Sequence, residues 1–244
     1  MSVSVNLRDL ASDGHLPRLA AMRRATAPAL ITALFCALPQ MAAVHPHIFV
    51  DTTLHFAMDD QDRITEVEVT WVYDDFFSLL ILEDMGLDPD GDAQLTDAEF
   101  QELWAFDLKN WYEGFEGDLY LNRPDGSKVA LGAPKATLID VRDGRIVAGH
   151  RRAVDPVSPE GIEVLQYDPT FYVAYGLAGG VTFDRGCEAK VIEADLTAAQ
   201  QAQEEALAEL LAEEFDPASE DMFETVELGI HYADRVRIAC NGLS

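Results

Sequence analysis

The chain has 244 residues, 48% of them apolar, with 17 basic against 44 acidic side chains and a formal net charge of −27 at neutral pH. A chain of that length and apolar content can fill a core, which excludes a disordered acidic tail. Its charge repels nucleic acid and anionic lipid head groups while attracting cations, so partners that need a basic surface are excluded as well.

At the N-terminus, Arg23 and Arg24 precede the uncharged stretch ATAPALITALFCALPQMAA, which ends in small residues. This is the pattern of a secretory signal peptide, and Met22 offers an alternative start. The predicted leader is 1–43, exported by a Sec-type route to the periplasm. Its apolar run from Ala25 to Leu38 is too short for a membrane anchor. Removing it takes away Arg8, Arg18, Arg23, Arg24, Asp9 and Asp13, leaving 13 basic and 42 acidic residues. Residues 44–244 are then expected to form one α+β domain, with no stable membrane insertion.

From Ile48 to Tyr73 the apolar pattern has period two. IFVDTTLHFA and ITEVEVTWVY flank the polar turn MDDQDR, predicting an antiparallel hairpin with Ile48, Val50, Thr52, Leu54 and Phe56 on one face. The pattern then becomes helical in DDFFSLLILEDMGL and TDAEFQELWAFDLKNWYEGF, a predicted helical insertion over 74–113. A second β region follows, with strands expected in GDLYLN, KVALG, KATLIDV, RIVAGHRRAV, IEVLQYDPTFYVAYGL and GVTFDRGCEAKVIEA. Asp-Gly turns between several of them suggest a mostly antiparallel sheet or sandwich. A helix is predicted from Thr197 to Phe215, opened by a Thr197–Gln200 capping box and buried through Leu207, Leu210, Leu211 and Phe215. DRVRIAC closes the chain as a strand. Cys36 leaves with the leader, so Cys187 and Cys240 are expected to pair as a disulfide in an oxidising compartment. Closing that loop stabilises by about 4 kcal/mol on the chain-entropy account.

Between the two helical segments lies GLDPDGDAQLTDAEF. Counted from Asp88, Asp90 and Asp92 fall at positions 3 and 5, Gln94 at 7, Thr96 at 9 and Glu99 at 12, with apolar Leu95 at 8. That is the ligand spacing of an EF-hand calcium loop, in which oxygens on alternate residues and a bidentate glutamate surround a hard cation. Position 6, normally glycine, is Ala93; a left-handed alanine costs about 1 to 2 kcal/mol, so a weakened Ca²⁺ site is expected. Thr96 and Glu99 alone also fit a plain capping box, which would leave the three aspartates unexplained. With no second such loop visible, a structural brace is expected rather than a calcium-driven opening.

Of six histidines, His15 leaves with the leader and five remain to be placed. His45 and His47 in VHPHIFVD lie two apart, and in an extended segment their side chains point the same way, ~7 Å apart. Beside a newly cleaved amine, two imidazoles suit Ni²⁺, Zn²⁺, Co²⁺ or Cu²⁺ rather than calcium. His150 in AGHRR is a weaker third ligand, with a surface strand end as its other reading; Asp51, His55 and Asp168 are further options. His55 and His231 read as packed or solvated, and Trp71, Trp104 and Trp111 as core. Phe171, Tyr172 and Tyr175 read as packing next to a turn at Asp168-Pro169.

The leader, HPHIFVD, VTWVYDDFFSLLILEDMGLDPDGD, FEGDLYL, DGRIVAGHRR and YDPTFYVAY, in this order, resemble the bacterial family catalogued as domain of unknown function 1007. The resemblance spans His45 to Cys240, and HPHIFVD and YDPTFYVAY are its most specific parts. Family members are commonly described as the periplasmic component of an uncharacterised ABC-type transport system, and are often linked to transition-metal uptake or efflux. Taken with the residues, the resemblance leads to the expectation of a periplasmic metal-binding accessory protein that partners a membrane metal transporter, and no enzymatic activity is expected. It carries over a metal-related role to His45 and His47 and a calcium role to the loop Asp88–Glu99. Two other readings stay open: a metal-dependent hydrolase with a base such as Asp168 or Glu68, and a purely structural calcium-braced module. No Gly-x-Ser-x-Gly, His-Glu-x-x-His or P-loop pattern supports the hydrolase.

Overall fold

Alternating apolar residues build the framework of this computed structural model, which describes residues 46–92, 94–109, 111–112, 114–212 and 228–240, without the side chains of 207 and 209–212. The chain divides into Met1–Ala43 and Val44–Ser244, and every described residue belongs to the second unit. The predicted leader, His45, Ala93 and the Leu207, Leu210, Leu211, Phe215 stripe lie outside what is described.

Strands β1 (Ile48–Met58) and β2 (Ile64–Tyr73) form the predicted hairpin, with Leu54 opposite Val69 and Thr52 opposite Trp71. Val50, Thr52, Leu54 and Phe56 are buried on one face, as the alternation requires. The Asp59 carboxylate closes the turn, accepting from the Gln61 and Arg63 amides and from the Arg63 guanidinium. After the helical insertion come β3 (Leu119–Asn122), β4 (Lys135–Arg142), β5 (Arg145–Val157), β6 (Glu163–Gln166), β7 (Val173–Phe183), β8 (Cys187–Ile192) and β9 (Arg235–Cys240). One sheet has the order β4-β5-β2-β1-β7 and the other β3-β6-β9-β8. Leu54, Val67, Trp71 and Ile146 of the first share a core with Leu121, Val164 and Val236 of the second. The fold is therefore α+β, rich in antiparallel sheet, with an inserted helical segment and a C-terminal helix. β1 and β7 are the exception, running parallel.

Cys187 and Cys240 face each other across the antiparallel β8–β9 pair and form a disulfide.

Several elements depart from expectation. The insertion holds α1 (Asp75–Asp84) and α2 (Asp97–Leu103), and α2 ends far short of the predicted helix through Phe115. Ala105, at φ +56°, breaks the helical run, and a series of turns over 104–109 replaces it. The KVALG strand is reduced to isolated bridges, Asn122 to Lys128 and Leu131 to Val154. The long segment 162–177 splits into β6 and β7 around a turn that Asp168 closes by accepting from the Thr170 and Val173 amides.

Helix α3 (Leu196–Ala212) starts one residue earlier than predicted because Asp195, not Thr197, caps it: its carboxylate accepts from the Thr197 and Ala198 amides. Gln200 does not reach back to a cap and instead donates to Glu204.

Candidate functional site

Loop 88–99 is shaped by its own side chains and hung on two apolar anchors. Leu87 is buried and Leu95 packs against the same core, which fixes both ends of the acidic run. Asp74 caps α1 by accepting from the Phe77 amide, and the same carboxylate accepts from the Phe49 amide of β1, tying the insertion to the sheet. Within the loop, Gly91 adopts φ +70°, a conformation that favours glycine. The Asp88 carboxylate accepts from the Asp92 amide at 3.0 Å and that of Asp92 from the Gln94 amide at 2.8 Å. The result is a tight coil in which one carboxylate oxygen from each of Asp88, Asp90 and Asp92 lies within 4.8 Å of the others.

Glu99 joins the two readings that the sequence left open. Its Oε2 accepts from the Thr96 amide and hydroxyl, both at 2.7 Å, and Thr96 Oγ1 accepts from the Glu99 amide, a complete capping box. Its Oε1 reaches across the loop to the Asp88 amide at 3.1 Å. The Thr96 hydrogen bonds hold its carboxyl below the ordinary glutamate range. Position 12 is therefore ionised and placed over position 1. The donor set, all hard oxygen, suits Ca²⁺: Asp88, Asp90 and Asp92 would hold it, with Gln94, Thr96 and Glu99 completing the ring.

The histidines do not form one centre. His47 is exposed at the start of β1, its ring 4.7 Å from that of Tyr172 and its amide donating to the Tyr172 carbonyl at 2.9 Å. His150 is no strand end: it lies inside β5, 2% exposed, in the row of Val69 and Leu54. Leu54 is seven residues along β1 from His47, ~23 Å of strand, so His150 is not a third ligand for an ion at His47. The His150 ring stands edge-on to Trp71 at 4.7 Å and Trp111 at 5.7 Å, and burial with the nearby Arg152 charge depresses its pKa to about 3. The other options are also occupied. His55 Nδ1 meets the Thr182 hydroxyl, Asp51 pairs with Arg145, and Glu68 pairs with Arg151 on the outer face. Trp104, expected in the core, is exposed instead.

The segments that looked most specific in the sequence meet at one end of the first sheet. Parallel pairing sets Ile48 beside Val173 and Val50 beside Tyr175, so the IFV of HPHIFVD runs beside the VAY that ends YDPTFYVAY. Arg145, from DGRIVAGHRR, donates to the Tyr73 carbonyl at 2.8 Å and pairs with Asp51 at 3.0 Å, fastening β5 to β2 and β1. A family model described as "Protein of unknown function (DUF1007)" matches residues 30–240. The chain belongs to the DUF1007 family. No curated protein matches it.

This DUF1007 chain also carries a buried acidic arrangement that the sequence reading missed. Val50 is flanked across the sheet by Tyr73 on β2 and Tyr175 on β7. Each tyrosine donates to an aspartate from the segment after α2: Tyr73 to Asp107 at 3.2 Å and Tyr175 to Asp118 at 3.0 Å. Burial raises the pKa of all four groups, that of Asp118 to about 7, with the Asp168 charge adding to the rise.

Asp118 is 7% exposed at the floor of a cleft of about 510 Å³, walled by Tyr112, Phe115 and Tyr120 and edged by Glu116 and Asp168. The wall is held by Arg152, whose guanidinium donates to the carbonyls of Glu116, Leu131 and Gly132 and stacks 5.2 Å from the Trp111 ring. Gly117 belongs there for space as well as for its φ of +66°, since a Cβ would come within 2.2 Å of the Trp111 ring. In the sequence the pieces of this site read apart: helical periodicity absorbs NWYEGF, GDLYLN reads as a strand, and Asp168-Pro169 as a turn beside packed aromatics.

Proposed function

We propose that this protein is a periplasmic, non-enzymatic metal-binding accessory of a transition-metal transport system, in which loop 88–99 holds Ca²⁺ as a brace. The observation that carries the reading is the convergence of the Asp88, Asp90 and Asp92 carboxylates, with Glu99 bound back onto the amide of Asp88. Calcium, when bound, supplies a charge that cancels the repulsion of the loop and ties α1 to α2. His45 and His47 then serve as the transition-metal end, presenting Ni²⁺, Zn²⁺, Co²⁺ or Cu²⁺ to a membrane transporter. Two features support that assignment: His47 is exposed, and its strand is anchored on YDPTFYVAY. Among the described residues no helix is long and apolar enough to cross a membrane.

Thermal unfolding in excess calcium and in chelator tests the brace. Calcium at about a hundred times its dissociation constant should stabilise by ~2.7 kcal/mol. Asp90→Asn is the informative variant, because the Asp90 side chain is exposed and takes no part in the hydrogen bonds among the described residues of the loop. It should abolish the calcium response and leave the chelated protein within about 0.5 kcal/mol of wild type. Superimposed curves for the wild-type protein in calcium and chelator would refute the brace. Nickel and zinc titrations of the wild-type and His45→Ala, His47→Ala proteins test the other end, where binding should be lost with the two imidazoles; unchanged binding would remove the histidines from the scheme.

A further inference from the structure

The cleft over Asp118 shares no residue with the calcium loop, and three features define what it can take. Its floor is a carboxyl almost wholly removed from water, whose hydrogen-bond donor is the neutral Tyr175 hydroxyl. Among the described residues no lysine, arginine or histidine forms an ion pair with it. Its walls are aromatic: the Tyr112 and Phe115 rings stack at 5.1 Å, and Tyr120 lies tilted against Tyr167 at 4.5 Å. Its rim already seats one ammonium group, as Lys128 Nζ lies 4.9 Å over the Tyr120 ring and pairs with the Glu116 carboxylate.

These are the elements with which proteins recognise an organic cation: a ring face for the spread charge and a carboxylate for the N–H donors. They do not make a cage for a hard divalent ion, which needs six to eight convergent oxygens. Both Asp168 oxygens are taken up by Thr170 and Val173 of their own turn, and one Asp118 oxygen accepts from Tyr175. Among the described residues, only Asp88, Asp90 and Asp92 bring three ligand atoms together.

We propose that this cleft is a binding site for a small organic ammonium ion. The ammonium group enters between Tyr112, Phe115 and Tyr120 to meet Asp118, and the Lys128 ammonium competes for the outer seat on Tyr120 and Glu116. The cleft's volume is in the range of small-molecule sites, and the acidic surface concentrates such ions around it.

Calorimetric and NMR titration of the purified protein with benzylammonium, using benzyl alcohol as its neutral counterpart, tests the proposal. Run in both calcium and chelator, the experiment separates this site from the loop. Benzylammonium should saturate the site, with the alcohol at least tenfold weaker, a difference of about 1.4 kcal/mol. Asp118→Asn keeps an acceptor for Tyr175 but removes the charge, and should weaken benzylammonium about tenfold or more. Lys128→Met, at a side chain more than half exposed, should vacate the rim and tighten binding about threefold. Equal affinity for amine and alcohol, wild-type affinity in Asp118→Asn, no gain in Lys128→Met, or no saturable binding at all overturns the proposal.

Discussion

Two carboxylate settings in this molecule make opposite use of the same residue type. In loop 88–99 three aspartates are crowded but stand in water, where a pair of charges 4.8 Å apart repels by roughly 1 kcal/mol before salt screens it. In the cleft one aspartate is desolvated, with the Asp168 charge nearby, and the rise of its pKa from 3.8 to about 7 corresponds to ~4 kcal/mol held against its ionised form. Burial thus outweighs any one pair of the crowded charges. In the loop, the Thr96 hydrogen bonds draw Glu99 toward its charged form. Asp118 is poised between its two forms near neutral pH. Crowded acids on a surface are therefore a poorer sign of stored free energy than one quiet acid beside a tyrosine.

The largest effect is expected where the cleft wall is held. Arg152 is 3% exposed; burial lowers its pKa to about 10, which leaves it charged at neutral pH, and it serves three backbone carbonyls. Arg152→Met keeps apolar bulk against Trp111 and strips those carbonyls of their donor. It should destabilise by about 3 kcal/mol or more in urea unfolding. Calcium affinity should be unchanged, since none of those partners belongs to the loop; a parallel loss of calcium binding would break the separation of the two settings.

Next comes Asp118 itself. Its folded pKa is raised above the unfolded value, so between about pH 4 and 7 the native state holds the extra proton and stability falls as pH rises through that window. The full penalty is present above pH 7. Asp118→Asn removes the titration and preserves an acceptor for Tyr175. The variant should therefore be more stable than wild type by ~2 to 4 kcal/mol at pH 8, with the advantage shrinking toward pH 4. Urea midpoints across pH measure it, and parallel pH profiles for the two proteins would mean that Asp118 is as well solvated as the loop acids.

The sequence made these two regions unequally legible. The loop is a local object: its clustered aspartates, its turn and its cap are separated by fixed counts along the chain, and counting found them. The hairpin and the Cys187–Cys240 pairing were legible for related reasons, period-two alternation for one and the scarcity of thiols for the other. The cleft is non-local. Asp118 accepts from Tyr175, 57 residues away, which is set in place by a parallel β1–β7 pairing that no short-range pattern announces. Its wall was hidden because the acids and aromatics after Leu103 kept a helical appearance while Ala105 turned the chain out of the helix. His150 was misplaced for a similar reason: the two arginines that follow it suggested a strand end, although Arg152 is as deeply buried as the histidine.

The smallest predicted effect asks whether the loop's order depends on a hydroxyl or on a cation. Thr96 Oγ1 both accepts from the Glu99 amide and donates to Glu99 Oε2, so Thr96→Ala removes the cap of α2 and loosens the carboxylate that reaches Asp88. The helix should lose about 1 kcal/mol in chelator, a typical cap loss, and Thr96→Ser should recover most of it. As Thr96 also occupies position 9 of the loop, the alanine variant should bind calcium more weakly than wild type, and the serine variant about as well. A Thr96→Ala protein that is destabilised in chelator but keeps wild-type calcium affinity would place the hydroxyl in the cap alone. The carboxylates of Asp88, Asp90 and Asp92 would then carry the cation without help from position 9.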